Sequence, residues 1–275
     1  MVVLRAIGRF FARIGRWIRD TAWVQPLLIV GGIFAIIFSI PYLTKWVKSW
    51  FSEEDAVEKY YESHKLSISK IEKGESKVNN MFEYLEAINE GTATDAQIKE
   101  FGSKFFLAFY AEDCTGCTTN YNGFEYMQKH ATTKDSSSTL YLEDGHEFKI
   151  HTIDVNEVND DIETEKGNIF EEYVYDKYAH VFERVSEKIQ DNDYAYLVNQ
   201  GGKSSSYYSS AVSLADTVAT PTIFLVDATD PNYFGIQEVI FEINSHEGDS
   251  TAYGKALTLV DAWNHKGIFS TDYHK

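Results

Sequence analysis

The residues best equipped for chemistry are Cys114 and Cys117, the chain's two cysteines, spaced by two in AEDCTGC. A thiolate is a nucleophile, and if a helix opens at this point the two sulfurs lie about one turn apart, within disulfide reach. Cys114 would then sit at the positive end of the helix, which stabilises its thiolate for attack on a substrate disulfide, and Cys117 would resolve the mixed disulfide. The spacing therefore reads as a reversible dithiol. Two alternatives stay open. Zinc would need further ligands, but there is no second cysteine pair, and His130, His146 and His151 form no tight cluster with this one. A purely structural disulfide would close a four-residue loop, which removes little chain entropy and stabilises little. Glu112 and Asp113 read as a solvated turn rather than an acid–base pair. As carboxylates beside Cys114 they disfavour its thiolate and stabilise the disulfide.

The elements around the cysteines follow from periodicity. Phe105 to Ala111, within KFFLAFYA, is an unbroken apolar run of strand length, suited to a strand buried on both faces. Further strands are expected in FKIHTIDVNE, at Thr222 in TPTIFLVD, and in QEVIFEIN. A closing helix is expected in YGKALTLVDAWNHKGI, with Ala256, Leu259, Val260 and Trp263 on one face. Between the second and third strands, Phe170, Val174, Tyr178, Val181, Val185 and Ile189 predict a helix of about 22 residues opening near Asn168. The polar NQGGKSSSYYSS that follows reads as a loop. Upstream, Val57, Tyr61, His64, Ile68, Ile71, Val78, Phe82 and Leu85 predict helix from Ser52 to about Glu90, interrupted at Gly74.

AFYAEDCTGC resembles the strand and active-site opening of the thioredoxin superfamily, and ATPTIFLVD resembles its cis-proline segment. The resemblance covers about residues 80–270 and is strongest in the order strand, CxxC, strand, Thr-Pro, strand, strand, helix. It implies an α/β, thioredoxin-like fold with Cys114 as nucleophile, Cys117 as resolving cysteine and Pro221 as the cis-proline. Thr220 would offer backbone groups to an extended substrate peptide. The chain departs from the family in four places. Ala108 stands where thioredoxins bury an aspartate, and Asp113, preceded by Glu112, stands where a tryptophan is usual. Thr115 and Gly116 supply neither the histidine of DsbA-type oxidants nor the proline of thioredoxin. Finally, 103 residues, 118–220, separate Cys117 from Pro221, so a helical insertion is expected at about 156–219. These departures imply a site less oxidising than DsbA.

Residues 1–50 carry seven Lys or Arg and one acid, which leaves 18 basic and 41 acidic residues in the remainder of a chain with net charge −17. So acidic a body argues against nucleic acid as partner, because phosphate binding needs clustered cations. Leu27 to Leu43 is uncharged and spans roughly 25 Å as a helix. Trp23, Tyr42, Trp46 and Trp50 suit the headgroup layer, and five arginines precede the span. The expected organisation is a basic amphipathic cytoplasmic helix at 1–22, a single transmembrane anchor at 23–46, a helical stalk at 47–79 and a thioredoxin-like domain at 80–275. Contact with the bilayer would run through residues 4–46. A soluble-domain helix would lack this leader, and PYLTKW offers a signal peptidase no small-x-small site.

The expectation is a single-pass protein of a bacterial cell membrane, with its amino terminus cytoplasmic and its carboxy-terminal domain outside. It would exchange disulfides with protein thiols or disulfides, with a membrane redox partner and no metal or organic cofactor. The alternative is a non-catalytic thioredoxin-like module of an envelope assembly, with an acidic surface selecting a basic partner.

Overall fold

The computed structural model describes residues 53–111, 114–157, 169–191, 214, 217–241, 243 and 250–264. By internal contacts the chain separates into Met1–Asp55 and Ala56–Lys275, and the architecture below is that of the second unit. Among the described residues no helix is long and apolar enough to cross a membrane, and the expected anchor and its basic leader lie outside them.

The unit is mixed α/β, built on a four-stranded sheet. Its strands are β1 (Lys104–Tyr110), β2 (Ile150–Asp154), β3 (Thr222–Asp227) and β4 (Ile236–Ile240), in the order β2-β1-β3-β4. β2 runs parallel to β1, while β3 lies antiparallel to both β1 and β4. Every residue of β1 is buried, Phe105–Tyr110 as an apolar run suited to a central strand and Lys104 paired with Asp144.

Because strand side chains alternate, β1 feeds two cores. Phe105, Leu107 and Phe109 face one that contains Val78, Phe82 and Leu85 of α2 (Lys77–Glu90). Phe106, Ala108 and Tyr110 face the other, with α1 (Glu53–Ser63), α4 (Thr115–His130) and α6 (Ala252–Asn264). A short helix α3 (Asp95–Phe101), opened by a capping box between Thr94 and Gln97, leads into β1. The closing helix buries the four residues expected of it, Ala256, Leu259, Val260 and Trp263. It approaches α4 closely, since a Cβ on Gly123 would lie 2.9 Å from Lys255 Cβ.

Two expectations are corrected. The helix expected from Ser52 to about Glu90, with an interruption at Gly74, is broken over the whole stretch between Ser63 and Lys77. α1 ends at Ser63, and Lys70 and Gly74 adopt left-handed backbone around a short 3-10 turn, Ile71–Lys73. Residue 65 instead pairs with the edge of the sheet: Leu66 N donates to Thr152 O at 2.8 Å and Thr152 N donates to His64 O at 3.0 Å. Exposed backbone groups along β2 compete successfully for this segment, and burial of Val57, Tyr61, Ile68, Ile71 and Val78 draws it into the cores. The periodicity thus reported the helices on either side, and the burial of most of its positions, but not the break between Ser63 and Lys77.

The 22-residue helix of the insertion is likewise divided, into a π-helical turn (Glu171–Tyr175) and α5 (Ala179–Asp191). The wide turn, closed by Asp176 N donating to Glu171 O, turns both Val174 and Tyr175 inward. Tyr175 Oη then donates to Leu214 O at 2.9 Å. The side chain of Ile189 and the loop at NQGGKSSSYYSS lie outside the described residues.

Candidate dithiol site

β1 carries the chain to Cys114, which caps the N-terminus of the sixteen-residue α4. Cys117 N lies 3.1 Å from Cys114 Sγ and 3.1 Å from Cys114 O, so the first turn of the helix aims a donor at the first sulfur. A helix N-terminus favours negative charge at that sulfur. The two cysteines form a disulfide with Cα atoms 5.2 Å apart. Cys114 is half-buried and Thr115 exposed, whereas Cys117 is buried in the core beneath α4.

The antiparallel register sets Thr222 of β3 opposite Phe109, near the end of β1. Pro221 is thereby delivered to the cysteine turn, and the Thr220–Pro221 peptide is cis. Contact is close: a Cβ built on Gly116 would lie 2.6 Å from Pro221 Cδ and 3.0 Å from its Cγ. Position 116 tolerates no side chain unless the proline moves. Thr222 Oγ1 donates to Ala219 O at 2.5 Å, closing the turn that holds Thr220 and Pro221, both half-buried.

Ala108 is buried, opposite Thr152 and Ile223, in the same core as Cys117. The sequence thus places Cys114, Cys117, Thr115, Gly116, Thr220 and Pro221 in one locality, and the structure brings them together. Glu112 and Asp113, expected to tune the site, lie outside the described residues.

Sequence reasoning missed the side of the site supplied by α1. Tyr61 Oη donates to Cys117 O at 3.0 Å, and its ring stacks on that of Tyr110 with centroids 4.8 Å apart. Thr152 Oγ1 donates to Tyr61 O at 2.6 Å. Burial pushes the Tyr61 phenol well above its ordinary value, so it remains a neutral donor. Tyr110 Oη donates to Glu62 Oε1 at 2.9 Å, and Lys65 Nζ donates to the same oxygen at 2.7 Å. Burial pushes the Glu62 carboxyl up, but these two hydrogen bonds outweigh it and hold the group below its ordinary value. Tyr61 and Cys117 are 56 positions apart, and the periodicity of 57–85 marks Tyr61 only as apolar-facing.

Comparison with known proteins finds no matching family model, no matching curated protein and no matching solved structure.

Proposed function

We propose that this chain is a membrane-tethered, thioredoxin-like thiol–disulfide oxidoreductase acting on protein substrates outside the cytoplasmic membrane. The observation that carries the reading is the packing of Gly116 in the cysteine turn directly against Pro221. The sheet order, with its parallel β1–β2 pair and antiparallel β3 and β4, is compatible with the thioredoxin-like fold. The half-buried Cys114 at a helix N-terminus and the buried Cys117 support the roles of nucleophile and resolving cysteine. Tethering rests on the uncharged run 27–43 and its arginine-rich leader.

In the reducing direction, the Cys114 thiolate attacks a substrate disulfide, joins one substrate sulfur and releases the other as a thiolate. Cys117 then loses its proton and attacks Cys114 Sγ. The Cys114–Cys117 bond forms, the remaining substrate sulfur leaves and is protonated, and two electrons have passed to the substrate. The same steps reversed oxidise a substrate dithiol. By the resemblance, Thr220 offers its backbone groups to an extended substrate chain.

Insulin reduction and the refolding of a scrambled disulfide substrate test the proposal. The full chain should turn over in at least one assay, and Cys114→Ser should abolish that turnover. Equal, cysteine-independent rates would leave the interaction-module reading, which the acidic charge of residues 51–275 favours.

A further inference from the structure

We infer that Tyr61 is a positioning residue for the resolving cysteine, an inference that rests on the oxidoreductase reading and deepens it. In the disulfide form, the bond to Cys114 itself fixes Cys117. Once a substrate sulfur occupies Cys114, that constraint is gone, yet Cys117 must still present its sulfur to Cys114 Sγ. What remains to hold it is the core packing around it, the first turn of α4 and the hydroxyl of Tyr61, which donates to Cys117 O at 3.0 Å.

The donor is itself fixed from three sides. Its ring stacks on Tyr110, its backbone carbonyl accepts from Thr152 Oγ1, and the next segment of its chain pairs with β2 through Leu66 and Thr152. Tyr61 and Cys117 are both buried, so no water competes for this carbonyl as it would at a surface. A fixed donor on the peptide that follows Cys117 restricts rotation of the turn carrying its sulfur. That keeps the attacking geometry ready at the mixed-disulfide stage, where orientation governs an intramolecular displacement.

Resolution joins Cys117 Sγ to Cys114 Sγ, breaks the bond from Cys114 Sγ to the substrate sulfur and releases the latter as a thiolate, which takes up a proton. Tyr61 exchanges neither proton nor electron in this step. Its contribution is confined to the second displacement, because the first takes place at Cys114 Sγ before Cys117 has any part to play.

The experiment uses the reduced full chain in detergent, mixed with oxidised glutathione and quenched with acid at intervals, with the glutathionylated protein quantified by mass spectrometry. Tyr61→Phe removes one oxygen and keeps the stacked ring. It should lengthen the lifetime of the Cys114–glutathione mixed disulfide about fivefold, the scale of one net hydrogen bond, while leaving its rate of formation unchanged. Tyr110→Phe is the comparator: it also loses a hydroxyl from the same stacked pair, but that hydroxyl bonds Glu62 rather than the cysteine turn. It should leave the lifetime as in the wild type. An unchanged lifetime in Tyr61→Phe, or an equal lengthening in Tyr110→Phe, overturns the inference while leaving the oxidoreductase reading intact. A wild-type chain that never forms the mixed disulfide overturns both.

Discussion

Gly116 and Pro221 are packed so closely that a β-carbon on the glycine would fall 2.6 Å from Pro221 Cδ. The atom in the way belongs to a closed ring on the backbone and cannot swing aside as the end of a long side chain does. Gly116→Ala is therefore expected to part the cysteine turn from the segment 220–221, at about 1–3 kcal/mol of stability. Denaturant midpoints of the two chains measure this, and thiol-exchange rates should fall together with the midpoint. An alanine variant of wild-type stability and rate would show that the contact is slack.

The thiol at Cys114 feels opposing influences. The start of α4 stabilises its thiolate, and the carboxylates of Glu112 and Asp113 in the adjoining sequence oppose it. Replacing both acids by their amides should therefore raise the thiolate fraction of Cys114 and speed its alkylation in the reduced protein at neutral pH. An unchanged alkylation rate would contradict this balance.

His151 ties stability to pH. Its imidazole Nε2 donates to Phe101 O at 2.8 Å. Burial, joined by nearby Lys149 and His64, pushes its pKa below the ordinary 6.5 despite that bond and the nearby Glu100. Below about pH 6.5 the unfolded chain therefore binds a proton at this residue that the folded chain refuses. Its contribution is present above that pH and is lost as the pH falls, by up to about 1.4 kcal/mol per pH unit. Urea midpoints measured from pH 7.5 down to about pH 5 should decline less steeply in His151→Gln than in the wild type.

At the far end of β1 from the cysteines, buried Lys104 bonds the Asp144 carboxylate, donates to Trp263 O at 2.7 Å and lies 3.9 Å from the carboxylate of buried Asp227. Lys104→Met strands the Asp227 charge in the interior, at a cost of about 3–5 kcal/mol. Calorimetry should register that loss. The alkylation rate of Cys114 in the folded protein should not change, since the strand separates the two sites by roughly 20 Å.

Tethering predicts how the chain fractionates. The full chain should stay with membranes through an alkaline carbonate wash, and a chain beginning at residue 51 should not. Release of the full chain by carbonate would remove the anchor from the account.

How much of this was legible in the sequence differs by element. β1 announces itself because a strand buried on both faces favours an unbroken apolar run, and Phe105 to Tyr110 supply one without neighbours being known. The pair Cys114 and Cys117 was legible because it follows directly on such a run, whereas Pro221 was expected beside it only through the resemblance of ATPTIFLVD to a cis-proline segment. The segment 64–76 was misread because heptad-like spacing records which residues face a core, not whether the backbone between them is helical. Lys65 is extended because the edge of β2 accepts it, and Tyr61 reaches Cys117 across 56 positions. In the insertion, the π-turn that brings Val174 and Tyr175 inward together has no periodic signature, since the helical face of Phe170, Val174 and Tyr178 is equally regular on paper.

The redox character of the cysteine pair can be measured by equilibrating the full chain in thiol buffers of graded potential and counting alkylated cysteines. One two-electron transition is expected, with its midpoint between about −120 and −270 mV. A pair still oxidised in buffers below about −300 mV would behave as a structural crosslink and would contradict that expectation.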